Sequence, residues 1–87
     1  MSKSIFIDTG AFLALEDESD NHHEDAIRFR DKVLLPGNYE FITTSYILDE
    51  TLTLIRRRLS ISASISLSKK MRNSQIVKIL RISDEVW

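Results

Sequence analysis

The chain has no cysteine, which excludes a disulfide framework, a thiolate metal site and a thiol nucleophile. Its two glycines, Gly10 and Gly37, stand too far apart to build a phosphate-cradling loop. The one proline, Pro36, belongs to the turn Pro36-Gly37-Asn38, and neither an internal repeat nor a domain-length linker is visible. No apolar run approaches the roughly 20 residues that a bilayer span requires. The N-terminus passes from Met1-Ser2-Lys3-Ser4 straight into Ile5-Phe6-Ile7-Asp8, without the apolar segment of a signal peptide. A soluble, cytoplasmic domain with no membrane partner is the expectation.

What is present fits one small globular unit. Hydrophobic content of 43% and charged content of 29% lie near the globular average. A chain of 87 residues buries only roughly 60% of its unfolded surface, so its core must be economical or shared. The formal net charge of -1 hides a polarity. Residues 1–50 carry eleven acids against four bases, whereas residues 51–87 carry eight bases against two acids. Such a split suits an acidic cation pocket beside a polyanion-binding surface, although two ordinary solvated helix faces produce the same pattern.

The apolar patterning alternates between strand and helix. Ile5-Phe6-Ile7 is a short β-branched run of the kind that becomes a strand buried on both faces. Asp8-Thr9-Gly10 closes it, and Ala11 to Leu15 has helical composition. Asn21 with Glu24 forms a capping-box arrangement ahead of a helix that Pro36-Gly37-Asn38 ends. Tyr39 to Thr43 is a second candidate strand, with Thr44 or Ser45 as the cap of the next helix. In that helix, Tyr46 to Leu59, the residues Leu48, Leu52, Ile55 and Leu59 recur at spacings of four, three and four. From Ser60 to Ser68 the apolar residues alternate strictly with serines, which matches the strand template better than the helical one. Ile76 to Leu80 reads as a third strand, and Ser83-Asp84-Glu85 as the start of a further helix. Strands interleaved with helices predict an α/β domain with a thin parallel sheet.

Ligands of open α/β sheets gather at the carboxyl ends of the strands. Asp8 holds such a position, where it either caps the following helix or projects as a ligand. Glu50 has only uncharged neighbours three and four residues away (Tyr46, Ile47, Thr53 and Leu54), so a surface ion pair does not explain it. Asp49 also lacks a partner at those spacings, but it lies nearer the helix start, where the dipole accounts for it. Two carboxylates from separate elements suit a hard cation such as Mg²⁺ or Mn²⁺. His22 and His23 are adjacent and point to different sides of a helix, so they are read as structural or surface residues.

The residues Ile5-Phe6-Ile7-Asp8-Thr9-Gly10-Ala11-Phe12-Leu13-Ala14-Leu15 resemble the opening of PIN-domain proteins, especially VapC-type toxin ribonucleases. The stretch Phe41 to Leu54, with Asp49-Glu50 inside it, resembles their second motif, and the two blocks stand in the matching order. The resemblance implies a Rossmann-like, PIN-type α/β/α fold with a short parallel sheet. It also implies a metal-dependent endoribonuclease that cleaves RNA by a metal-activated water. By motif, Asp8 and Glu50 would be catalytic metal-site carboxylates, Thr9 would lie beside that pocket, and Arg56, Arg57 and Arg58 would contact RNA. It further implies that Ser60 to Met71 is helical, against the alternation, and a helix there also serves the crossover to the third strand.

PIN domains add further aspartates after the third strand and its following helix, and Asp84 and Glu85 come too early to replace them. The expectation is therefore a single PIN-like domain over 1–87, truncated before the last strands and helices, with an incomplete acidic site. The alternative is a catalytically inactive PIN-like remnant that binds protein or RNA. Expected partners are RNA, an antitoxin protein and, because a truncated sheet exposes apolar surface, further copies of the chain as a homo-oligomer.

Overall fold

The computed structural model describes residues 4–37 and 39–81. The helix start expected at Ser83-Asp84-Glu85 lies outside them. Strand β1 (Ser4–Phe6) leads into α1 (Thr9–Glu16) and α2 (His23–Phe29), which continues as a π-turn over Arg30–Leu34. Strand β2 (Glu40–Thr44), the helices α3 (Ser45–Arg58) and α4 (Ile61–Asn73), and strand β3 (Val77–Leu80) follow. The sheet is parallel throughout in the order β1-β2-β3, with Ile5 beside Phe41 and Phe41 beside Val77. The expected α/β class with a short parallel sheet is thus observed.

Two helix starts differ from their sequence reading or resolve it. Thr44, rather than Ser45, caps α3: its hydroxyl accepts the Ile47 N–H at 3.1 Å. Asn21 does not cap α2. The carbonyl of Asp20 accepts the His23 N–H at 3.0 Å and its carboxylate accepts the His22 N–H at 2.8 Å, so Asp20 organises that entry instead.

The stretch that alternates like a strand forms α4, capped by Ser60, whose hydroxyl accepts the Ala63 N–H at 3.0 Å. The alternation conceals two helical series on opposite sides. Ala63, Leu67 and Met71 repeat every four residues and turn inward, while Ile61 and Ile65 repeat every four residues and stay exposed. Because residues two apart on a helix lie on nearly opposite faces, the two series interleave into a period of two.

Strand alternation decides where the core sits. Ile5, Ile7, Phe41, Thr43, Val77 and Ile79 face the helices, where Phe12, Leu13, Ile55, Leu67 and Met71 complete the core. Both crossovers advance in the same direction across the sheet, and right-handed connections place their helices on one face. The other face carries Phe6, which is 56% exposed. The sequence predicts a β1 buried on both faces; among the described residues it pairs with β2 alone and has one covered side. Leu59 also departs from its expected core position, since the helix ends one residue before it and leaves it 42% exposed.

Candidate active site

Asp8 lies at the start of the helix that follows β1, and Glu50 lies in the second turn of the helix that follows β2. Asp8 has an extended backbone (φ -98°, ψ 177°) and is the N-cap of α1, its Oδ1 accepting the Ala11 N–H at 3.0 Å. The cap reading therefore holds, yet it uses one oxygen only. Among the described residues the other, Oδ2, has no partner and lies at an exposed position. Cap and ligand are compatible roles for one carboxylate.

Glu50 reaches this point from α3. The Thr9 hydroxyl, in the first turn of α1, donates to Glu50 Oε1 at 2.9 Å across 41 residues of sequence. That bond and the packing of α1 on α3 bring Asp8, Thr9 and Glu50 into one cluster. The Asp49 carboxylate takes no part in the cluster; its backbone carbonyl accepts the Thr53 hydroxyl at 3.0 Å. Each of Asp8 and Glu50 keeps a free, solvent-facing oxygen. Hard donors with room for water match a divalent cation that retains part of its hydration shell. No group of three or more histidine, aspartate or glutamate side chains suited to a metal ion occurs among the described residues.

The sequence profile of the PIN domain matches residues 5–87. The chain belongs to the PIN-domain family. Its fold is also similar to that of the Mycobacterium tuberculosis toxin VapC20, described as a sarcin–ricin loop cleaving toxin, with a TM-score of 0.78 and 27% sequence identity. The match covers 93% of this chain and 58% of that one, so the chain spans little more than half of the toxin's length. No curated protein matches the sequence. The parallel sheet and helix order of the PIN-type α/β/α fold implied by the two motifs are found, with the helices of the described residues on one face of the sheet.

Buried threonines hold the PIN-domain cluster in place. Thr43 is fully buried, and its hydroxyl donates to the Ile7 carbonyl at 3.0 Å, immediately before Asp8. The Ile7 N–H donates to the Ile42 carbonyl at 2.8 Å, so the backbone entering Asp8 is fixed from both sides. Thr51, also fully buried, donates to the Ile47 carbonyl at 2.8 Å, one residue beyond Glu50. The sequence reading did not single out Thr43 or Thr51. Alternation from Phe41 was the available signal for Thr43, because it places that hydroxyl on the buried face. Thr43→Val keeps the shape and removes the donor, and is expected to cost about 1 kcal/mol, measured by urea denaturation.

Gly10, between Thr9 and Ala11, has ordinary helical space. A Cβ there would sit 3.6 Å from Asp8 Oδ1, an ordinary contact, and no positive φ is required. Gly10→Ala is therefore expected to stabilise the domain by roughly 0.5–1 kcal/mol through reduced backbone entropy, read as a higher melting temperature.

The arginine run lies away from the carboxylates. Arg56, Arg57 and Arg58 occupy the exposed last turn of α3, about 9–12 Å along the helix axis from Glu50. They neighbour the far end of α1. There the Ser19 hydroxyl and backbone N–H, bonded to Asp17 Oδ1 at 2.6 and 2.9 Å, hold the Asp17 carboxyl below its usual value of 3.8, with smaller help from Arg58 and His23. His23 is structural, as expected: its Nδ1 donates to the Ala14 carbonyl at 2.7 Å. A carboxyl with a lowered folded-state pKa contributes stability that is complete above 3.8 and lost as pH falls through the folded value. Thermal melts from pH 5 to pH 2 should show that loss in the native chain and a shallower one in Asp17→Asn.

Proposed function

We propose that this PIN domain is a Mg²⁺- or Mn²⁺-dependent endoribonuclease of the VapC toxin type. The observation that supports the reading is the Thr9–Glu50 hydrogen bond, which links the helix that Asp8 caps to the helix that carries Glu50. Asp8 and Glu50 would hold the metal through their free oxygens. A divalent ion at such a site lowers the pKa of water and neutralises charge on a phosphodiester. Thr9 fixes the Glu50 carboxylate, so that its second oxygen faces solvent without a search over rotamers. Asp8 is held by its own cap bond to Ala11. Arg56, Arg57 and Arg58 would attract and position flanking RNA from the far end of α3 rather than touch the scissile phosphate. The reading carries with it a cytoplasmic setting and an antitoxin protein as the regulating partner.

The absence of a third metal-binding acid among the described residues favours a second reading, a catalytically inactive PIN-like module that binds RNA or protein. The two are separated by incubating the purified chain with RNA and Mn²⁺, beside an EDTA blank and Asp8→Asn. Cleavage that disappears in both controls supports the ribonuclease. A folded chain that binds RNA or a protein partner equally with and without metal, and cuts nothing, supports the inactive module.

A further inference from the structure

Tyr46 is the most exposed of the large apolar side chains among the described residues, at 67%. The core makes no use of it. Phe29, Tyr39 and Phe41 form the ring contacts of the fold, and among the described residues neither the Tyr46 ring nor its hydroxyl has a partner. Its place on α3 indicates what it serves. Thr51 and Ile55 mark the buried side of that helix. At 3.6 residues per turn, Tyr46, Asp49, Glu50 and Thr53 lie on the opposite side. With Leu54 they line an open hollow of about 390 Å³. The hollow therefore looks away from the sheet and owes nothing to how the faces of the sheet are covered.

Tyr46 stands one turn before Glu50, about 6 Å along the helix axis, a length that one nucleotide spans. The hollow holds two carboxylates, Asp49 and Glu50, and no basic side chain. A bare phosphate is repelled there, whereas an uncharged base is not. Every base has a π-face that stacks on an aromatic ring. The N–H groups at its edge also find an acceptor in the Asp49 carboxylate, which has no other partner among the described residues.

We propose that Tyr46 is a base-stacking residue: its ring carries the base of the nucleotide next to the phosphate that Asp8 and Glu50 address, with Asp49 accepting from the edge of that base. The choice of RNA as ligand rests on the ribonuclease reading. Tyr46 is exposed and unpartnered, so replacing it leaves the fold intact; circular dichroism and melting curves verify this for each variant.

Binding of a fluorescent single-stranded RNA, followed by anisotropy with Ca²⁺ in place of Mn²⁺, tests the proposal. Tyr46→Ala should weaken binding roughly 5- to 150-fold, the worth of one stacked base, and Tyr46→Leu nearly as much, since leucine has no π-face. Tyr46→Phe should stay within about two-fold of the native chain. RNAs with one abasic site, moved along the strand, should reveal a single position whose loss costs as much as Tyr46→Ala and costs nothing further in that variant. Mn²⁺ binding should be the same in all three variants, because no carboxylate is changed. Equal RNA affinity in the native chain and Tyr46→Ala would overturn the proposal and leave the hollow to a basic side chain of a protein partner. Abasic losses that add to Tyr46→Ala at every position, a native chain without affinity for RNA, or a melting temperature that falls in parallel with affinity would overturn it as well. Cleavage with Mn²⁺ separates the two readings. Tyr46-dependent binding without cleavage refutes the ribonuclease and keeps the stack, whereas cleavage and binding unaffected by Tyr46→Ala refute the stack and keep the ribonuclease.

Discussion

Phe41→Ala is expected to remove a large share of the domain's stability. Phe41 is wholly buried on the central strand, between Ile5 of β1 and Val77 of β3. Its ring meets Phe29 edge-on at 6.0 Å and Tyr39 at 6.5 Å, which ties α2 and the entry to β2 to the same point. Truncating a buried phenylalanine costs about 3–5 kcal/mol, because the cavity collapses only in part. A domain of 87 residues has on the order of 4–13 kcal/mol in total. The melting temperature should therefore fall by roughly 15–30 °C, and a fall below about 5 °C would show that Phe41 is not the centre of the core. Far-ultraviolet circular dichroism against temperature is sufficient to decide it.

Asp8→Asn should have the opposite profile, with stability kept and activity lost. Asparagine is as good an N-cap as aspartate, and its amide oxygen can accept the Ala11 N–H in place of Oδ1. What disappears is the negative charge and the free anionic oxygen. If the pocket works as proposed, RNA cleavage drops on the order of 10²-fold or more, while the melting temperature moves by no more than a degree or two. Glu50→Gln is its counterpart, since the amide still accepts the Thr9 hydroxyl. Manganese binding, followed by paramagnetic relaxation of water protons, should weaken in both variants. Unchanged cleavage in either would remove that residue from the proposed machinery. A loss of fold in parallel with activity would instead make the carboxylate structural.

Much of this was legible in the sequence because it depends on local chemistry. An apolar β-branched run ending in an aspartate and followed by a helical segment dictates a strand, a capped turn and a helix. Glu50 drew attention because no basic residue stands one turn away, and in the structure its partner is Thr9, 41 residues distant. The alternation from Ile61 to Leu67 misled for a physical reason. Period alone cannot distinguish a strand from a helix that carries apolar residues on two opposite sides, and only packing shows that Leu67 and Met71 are inside while Ile61 and Ile65 are outside.

The sequence by itself determined the strands, the helices other than α4, the Asp8 helix cap and the two motifs that mark a PIN domain, because each is a relation among residues close along the chain. Tertiary structure alone decided the rest. It joined Thr9 to Glu50, set the Thr43 hydroxyl against the Ile7 carbonyl, and put Leu67 and Met71 of α4 inside while Ile61 and Ile65 stay outside. These depend on strand order and crossover hand, which bring distant residues together through packing and cannot be read from neighbouring positions.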